Sequence, residues 1–202
     1  MSELERRLAG GPVPALDGQR LADDLSRRAT AEGLLDVAYG TMDSPLGELL
    51  VAVTPRGLVR LAYDDEAVED EVLAELAERV SPRMLRAPER TDAVRRELDD
   101  YFAGRRRDFV TPVDWSLVSG FAANVLRATA RVPFGSVTTY RDVAEAAGSP
   151  RAYRAAGNAL GSNPIPIVVP CHRVLHAGGG LGGYTGGLDR KRRLLRLEGA
   201  IG

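Results

Sequence analysis

The stretch Ser162-Asn163-Pro164-Ile165-Pro166-Ile167-Val168-Val169-Pro170-Cys171-His172-Arg173-Val174 constrains this chain more than any other. It sets three prolines around an apolar run and then presents the sole cysteine beside one of only two histidines. The run Ile165 to Val169 reads as a short buried strand, and Pro170 stops it, so Cys171 is expected on a turn at the strand's end. Reactive groups are commonly displayed on such connections. A thiol attacks only as thiolate, and with a reference pKa of about 8.5 it needs a base or a positive field near neutral pH. His172 and Arg173 are placed to supply both. The Cys-His pair alone describes equally well an inert core thiol beside a hydrogen-bonded structural histidine.

A chain of 202 residues can bury a sizeable core, and two subdomains are expected. No apolar run reaches the ~18 residues of a membrane span, and no signal-peptide pattern opens the chain. The single cysteine excludes an intrachain disulfide and suits a reducing, cytoplasmic setting. Cys171, His172 and His176 fall short of the usual tetrahedral donor set, so neither a metal nor a soluble cofactor is expected. The net charge of −1 hides an uneven distribution: residues 119–202 carry 11 Lys and Arg against 4 Asp and Glu, whereas residues 1–118 carry 16 against 24. A basic half that also holds the candidate nucleophile points to a phosphate-facing surface on the C-terminal side.

Residues 1–35 read as an N-terminal extension in which Asp17 caps a helix from Gln19 to Ala31, with Leu21 and Leu25 one turn apart. Asp36 to Met42, Glu48 to Val53 and Gly57 to Tyr63 alternate in hydropathy and are punctuated by Ser44-Pro45-Leu46-Gly47 and Thr54-Pro55-Arg56-Gly57, the pattern of an antiparallel meander. Helical spacing follows over Asp65 to Val80, then a short strand over Arg83 to Ala87 and a helix over Thr91 to Phe102 that ends at Gly104. This is a small antiparallel sheet with helices, an α/β subdomain over 36–112. Residues 113–202 form a mostly helical second subdomain, with helices over Phe121 to Ala130, Thr139 to Ala147 and Pro150 to Leu160. The last two are spaced as a helix-turn-helix of winged-helix-like type, which contacts DNA through the later helix, or as an ordinary helical hairpin.

The longer pattern is Asn163-Pro164, Pro170-Cys171-His172-Arg173-Val174, Gly183-Tyr184-Thr185-Gly186-Gly187, Lys191 and Leu197-Glu198-Gly199. It closely resembles the O6-alkylguanine-DNA alkyltransferases, densely from Val132 onward and thinly back to about residue 37. The resemblance implies direct reversal of DNA damage: irreversible transfer of a methyl or other alkyl group from O6-alkylguanine, with O4-alkylthymine left open, to Cys171. It implies that His172 takes the thiol proton through a bridging water, that Glu198 holds the imidazole, that Tyr140 donates to guanine N3 and that Asn163 braces the turn. Backbone groups of Cys171, Val174 and Thr185 would read the guanine edge, with Tyr184 and Thr185 lining the pocket. Arg190, Lys191, Arg192 and Arg193 are candidates for phosphate contact or a solvated face, and of these Lys191 matches a recurrent family lysine.

An O6 adduct inside a duplex is out of a thiol's reach, so the nucleotide must be flipped out. Arg154 matches the family's arginine finger, which fills the gap while its helix, with Arg151, Tyr153, Ala155 and Gly157, lies in the minor groove. The partner implied is double-stranded DNA carrying O6-alkylguanine, met by a monomer that turns over once because a thioether has no ordinary route back to thiol. Several positions depart from the pattern. Ala122 and Leu126 replace the usual Gln and Trp, Tyr153 is bulky where a small residue is common, and Thr185 stands for Ser or Gly. The rival readings are an alkylated-DNA binding or sensor module, whose members replace the cysteine, and a cysteine hydrolase, whose nucleophile and base lie further apart in sequence.

Overall fold

The computed structural model describes residues 24, 26–29, 31–63 and 68–202. Asp17, Gln19, Leu21 and Leu25 of the expected first helix lie outside the described residues, as does Asp65 at the start of the expected second one. Within the first 34 residues, positions 26–29 are helical. Residues 35–202 form one unit.

The alternating runs build β1 (Val37–Met42), β2 (Leu49–Thr54) and β3 (Gly57–Tyr63), which pair antiparallel in chain order. Every residue of β2 is buried. A central strand covered on both faces carries no polar alternation, and two helices supply the cover. α1 (Val68–Arg79) packs Val72 and Leu76 into a cluster with Val37, Leu50, Ala52, Val59 and Leu117. α2 (Pro88–Phe102) lies against β1 and β2. It begins three residues before the expected Thr91, because Pro88 at the first helical position needs no hydrogen-bond partner for its nitrogen. The short β4 (Met84–Arg86) joins the far edge beside β1, and it runs parallel, so the sheet is mixed, with order β3-β2-β1-β4.

The chain then crosses back along the opposite edge. Leu58 N donates to Pro112 O and Asp114 N to Leu58 O, each at 2.8 Å. Asp114 is a buried acceptor that gathers Thr54 Oγ1 at 2.6 Å, Arg56 Nε at 3.0 Å and Ser116 N at 3.0 Å.

Three helices follow: α3 (Gly120–Thr129), α4 (Tyr140–Ala146) and α5 (Tyr153–Gly161), each packed on the other two. Thr139 and Asp142 close a reciprocal capping box at the start of α4, which satisfies two of its orphan N–H groups. β5 (Thr138–Thr139) and β6 (Val174–Leu175) pair in parallel, and α6 (Leu188–Leu197) buries Leu194 and Leu195. The architecture is a small sheet with helices followed by a helical part with a helix-turn-helix, as the residue patterns imply.

The run Ile165 to Val169 is the correction. It is buried except for the half-buried Val168 but forms a succession of turns rather than a strand, with Val168 N on Pro166 O and Val169 N on Ile165 O at 2.9 Å each. Prolines at 164, 166 and 170 remove the donors a ladder needs. Ile167 sits at φ 72, a left-handed conformation costly for a β-branched side chain.

Candidate active site

The turns over 162–170 are held by a side chain and by the sheet. Asn163 is buried, with Oδ1 accepting from Ile165 N at 3.0 Å and Nδ2 donating to Val169 O at 2.8 Å. The same amide reaches Cys171 Sγ at 3.1 Å. Leu61 on the edge strand β3 donates its N–H to Pro164 O at 2.9 Å. Cys171, His172 and Arg173 then form one turn of 3₁₀-helix, all three buried.

Glu198 caps the C-terminal end of α6 and is the centre of the arrangement. Five donors converge on its carboxylate: His172 Nε2 at 2.9 Å, Arg173 Nε at 2.9 Å and Nη2 at 2.8 Å, Tyr101 Oη at 2.7 Å and Gly135 N at 3.3 Å. Burial alone would raise this carboxyl, but the hydrogen bonds from His172 and Arg173 outweigh it and bring it down to about 2. An ionised Glu198 accepts from Nε2–H and thereby fixes the tautomer in which Nδ1 carries the lone pair. Nδ1 is buried and has no hydrogen-bond partner among the described residues. Burial pushes the imidazole below its ordinary value while Glu198 pulls the other way, so at neutral pH it is an unprotonated acceptor.

Burial also pushes the Cys171 thiol up to about 11, against the Asn163 amide and the Lys191 charge, which both favour the anion. The resting sulfur is therefore a thiol, and a base must take its proton as it attacks. The positive field expected from Arg173 comes instead from Lys191, because Arg173 is paired with Glu198 through two nitrogens. Lys191 is wholly buried, with Nζ donating to Val174 O at 2.7 Å and Gly183 O at 3.2 Å. Burial lowers its ammonium to about 8. Lys191 thus does not face phosphate. Arg190 and Arg193 point back at the N-terminal half, donating to Leu46 O and Pro45 O.

Cys171 opens into a cleft of about 540 Å³ lined by Tyr140, Tyr153, Arg154, Gly157, Tyr184 and Thr185, among others. Tyr140 begins α4 with its phenol beside Gly182 and Gly183; burial raises it, so it remains a donor. Thr185 Oγ1 ties the glycine-rich loop to Gly161 O at 2.6 Å. Arg151, just before α5, and Tyr153, Arg154 and Ala155 in its first turn are exposed, whereas Gly157 is half-buried against Tyr140.

The expected Cys171, His172, Glu198, Tyr140, Asn163, Tyr184, Thr185 and Arg154 thus surround one cleft or support its nucleophile. Residue patterns alone did not single out Tyr101, which touches Glu198 from 97 positions away. They also missed the pocket role of His176, whose ring lies 5.1 Å from that of Tyr140 and which lines the same cleft. Its place five residues after the cysteine was the only signal.

Two family models match the chain. The 6-O-methylguanine DNA methyltransferase ribonuclease-like domain covers residues 37–115, and the 6-O-methylguanine DNA methyltransferase DNA binding domain covers residues 120–200. The methylated-DNA–protein-cysteine methyltransferase of Mycolicibacterium paratuberculosis is 41% identical over 162 residues, covering 80% of this chain and 92% of that one. That of Methanosarcina barkeri is 36% identical over 163 residues, covering 79% and 96%. The crystal structure of Mycobacterium tuberculosis O6-methylguanine methyltransferase aligns with a TM-score of 0.69 at 36% identity, covering 82% and 94%. The crystal structure of the M. tuberculosis OGT in complex with DNA aligns with a TM-score of 0.68, covering 81% and 93%.

Proposed function

This chain belongs to the 6-O-methylguanine DNA methyltransferase family, and from that premise we propose how its own residues perform the repair. The protein restores alkylated DNA by moving the alkyl group onto a cysteine, and Cys171 is the only one it has. The observation that carries the reading is that Cys171 opens into a cleft of about 540 Å³, with Asn163 on its sulfur and the paired His172 and Glu198 buried behind it.

In the step itself, the Cys171 proton passes through a bridging water to His172 Nδ1, and Glu198 steadies the imidazolium that results. Sγ forms a bond to the alkyl carbon as the carbon–O6 bond breaks, and the electron pair stays with guanine. Tyr140, kept neutral by burial, donates to the departing base and stabilises its charge. Val174 and Thr185 line the guanine edge, and Lys191 fixes that wall by holding the Val174 and Gly183 carbonyls. A thioether has no base-catalysed return to thiol, so each molecule acts once and needs no soluble cofactor.

On the DNA side, Arg154 enters the stack from α5 as the base leaves. Arg151, Tyr153, Ala155 and Gly157 accompany the helix into the minor groove, and the bulk of Tyr153 limits its depth. The excess of Lys and Arg over residues 119–202 supports phosphate contact and salt-sensitive binding. One copy supplies every group named, which supports a monomer, and a lone free cysteine suits the reducing cytoplasm.

The test is intact mass after incubation with duplex DNA containing O6-methylguanine. The protein should gain one methylene, located on Cys171, while Cys171→Ala gains nothing and still binds the duplex. An unmodified Cys171 after excess substrate overturns the proposal.

A further inference from the structure

The wall of the cleft opposite the helix-turn-helix is held from the N-terminal sheet. Tyr63, the last residue of β3, meets Tyr184 hydroxyl to hydroxyl at 2.8 Å, with the rings edge-on at 6.2 Å. Gly186 is pinned where these rings converge: a Cβ there would lie 2.3 Å from Tyr63 Cε2 and 3.0 Å from Tyr184 Cε1. On Tyr63 the Arg190 guanidinium stacks 4.3 Å from the ring centroid, and the same guanidinium donates to Leu46 O at 2.8 Å and Gly186 O at 3.4 Å. Arg190, Tyr63 and the Tyr184–Gly186 loop therefore form one stack in which the sheet fixes the position of a pocket residue. Tyr184 is also edge-on to His172, at 6.4 Å between ring centroids.

We propose that Tyr63 is a positioning residue that sets the width of the alkyl pocket through Tyr184, so that the N-terminal sheet selects which O6 substituents are accepted. The inference rests on the alkyl-transfer reading above. The physical argument is that Tyr184 has no other hydroxyl partner among its hydrogen bonds within the described residues. The neighbouring ties, Thr185 Oγ1 to Gly161 O and Lys191 Nζ to Gly183 O, hold the loop on either side of Tyr184 but do not touch its ring. Freed from Tyr63, the ring can swing away from the sulfur, which widens the pocket at the alkyl end and loosens the hold on a small substituent. A methyl group, which needs close guidance onto Sγ, loses more than a large aromatic substituent, which fills the added space.

Single-turnover alkylation should be measured for the intact protein and for Tyr63→Phe, Tyr184→Phe and the double variant. The two substrates are duplex DNA containing O6-methylguanine and free O6-benzylguanine. Each single variant should raise the benzyl-to-methyl rate ratio about five-fold, the worth of one hydrogen bond. The double variant should go no further than either single one, because both remove the same contact. Affinity for unmodified duplex should stay at the parent value and unfolding should remain cooperative, with a midpoint no more than a few degrees below the parent's, as the loss of one hydrogen bond requires; this shows that the variants fold and bind. An unchanged or lowered ratio, or effects that multiply in the double variant, overturns the proposal. Failure of the parent protein to become alkylated at Cys171 would instead overturn the alkyl-transfer reading and leave Tyr63 out of the question.

Discussion

Tyr101 donates its hydroxyl to Glu198 Oε1 at 2.7 Å, joining a helix that flanks the N-terminal sheet to the carboxylate behind the histidine. Both side chains are buried, and the Tyr101 ring packs edge-on against Phe134 at 6.1 Å, beside the Arg173 guanidinium, which lies 5.9 Å from the same Phe134 ring. The helix of the first half is thus part of the support for chemistry carried out in the second.

Tyr101→Phe keeps the ring contacts and removes one donor from a carboxylate that retains His172, Arg173 and Gly135. The loss in unfolding free energy should be about 1.5–3 kcal/mol, the range for a hydrogen bond to a charged group. The imidazole should be held less firmly, so single-turnover methyl transfer should slow several-fold with duplex affinity unchanged. Urea unfolding and rapid-quench kinetics check the two halves separately. A rate equal to that of the parent would mean that Tyr101 anchors the helix and nothing more.

The pH dependence follows from which state binds the extra proton. Glu198 titrates near 4.5 when unfolded and at about 2 in the fold. Between those values the unfolded chain takes up a proton that the native state does not. This contribution, on the order of 3 kcal/mol, is complete above pH 4.5 and is lost as pH falls toward 2. His172 is also depressed in the fold, so it withdraws stability in the same direction as pH drops below its ordinary value of about 6.5. The transfer rate should be level at neutral pH and decline on acidification once Nδ1 becomes protonated. In Glu198→Gln the stability profile should flatten below pH 4.5; a profile parallel to the parent's would contradict the assignment.

Much of this is legible in the residues themselves. Apolar runs set off by the turns Ser44-Pro45-Leu46-Gly47 and Thr54-Pro55-Arg56-Gly57 mark β1 to β3, and the spacing of Val72 and Leu76 marks α1, because all of them pack into the same core. The Pro-Cys-His-Arg stretch located the nucleophile because its chemistry is local. The reading of Ile165 to Val169 as a strand went astray because hydropathy reports burial, and burial does not say whether a ladder exists. Lys191 stands out from its basic run only by the family resemblance, and nothing in the pattern shows that its stem and ammonium lie in the interior, where two carbonyls stand in for water. Tyr101 could not be found from pattern at all, since its partner is set by tertiary packing across 97 residues.

Arg154 is exposed on α5, lines the cleft and has its guanidinium 6.0 Å from the Tyr153 ring centroid. Among the described residues, no hydrogen bond joins it to Cys171 or Glu198. If it fills the space left by the flipped nucleotide, its loss should matter only when there is a stack to leave. Arg154→Ala should therefore reduce repair of duplex O6-methylguanine by roughly tenfold or more and barely change reaction with a free O6-alkylguanine base. Equal losses on both substrates would remove the finger role and leave a residue that shapes the pocket.

Gly182 separates two roles of the glycine-rich loop. It has φ 69, and a Cβ there would lie 2.3 Å from Tyr140 Oη and 3.0 Å from Tyr140 Cε2. Gly182→Ala must therefore push the phenol away from the departing base as well as strain the backbone by about 1–2 kcal/mol. Gly179 is a natural control, since it has φ 81 and nothing within 4 Å of its Cβ position. Gly179→Ala should cost a similar amount of stability in urea unfolding and leave the transfer rate unchanged. Gly182→Ala should slow methyl transfer by on the order of tenfold, the loss of one hydrogen bond aimed at developing charge being commonly larger still. If the two variants slow transfer equally, the loop acts through its backbone alone and the exact position of the Tyr140 hydroxyl is not what limits the reaction.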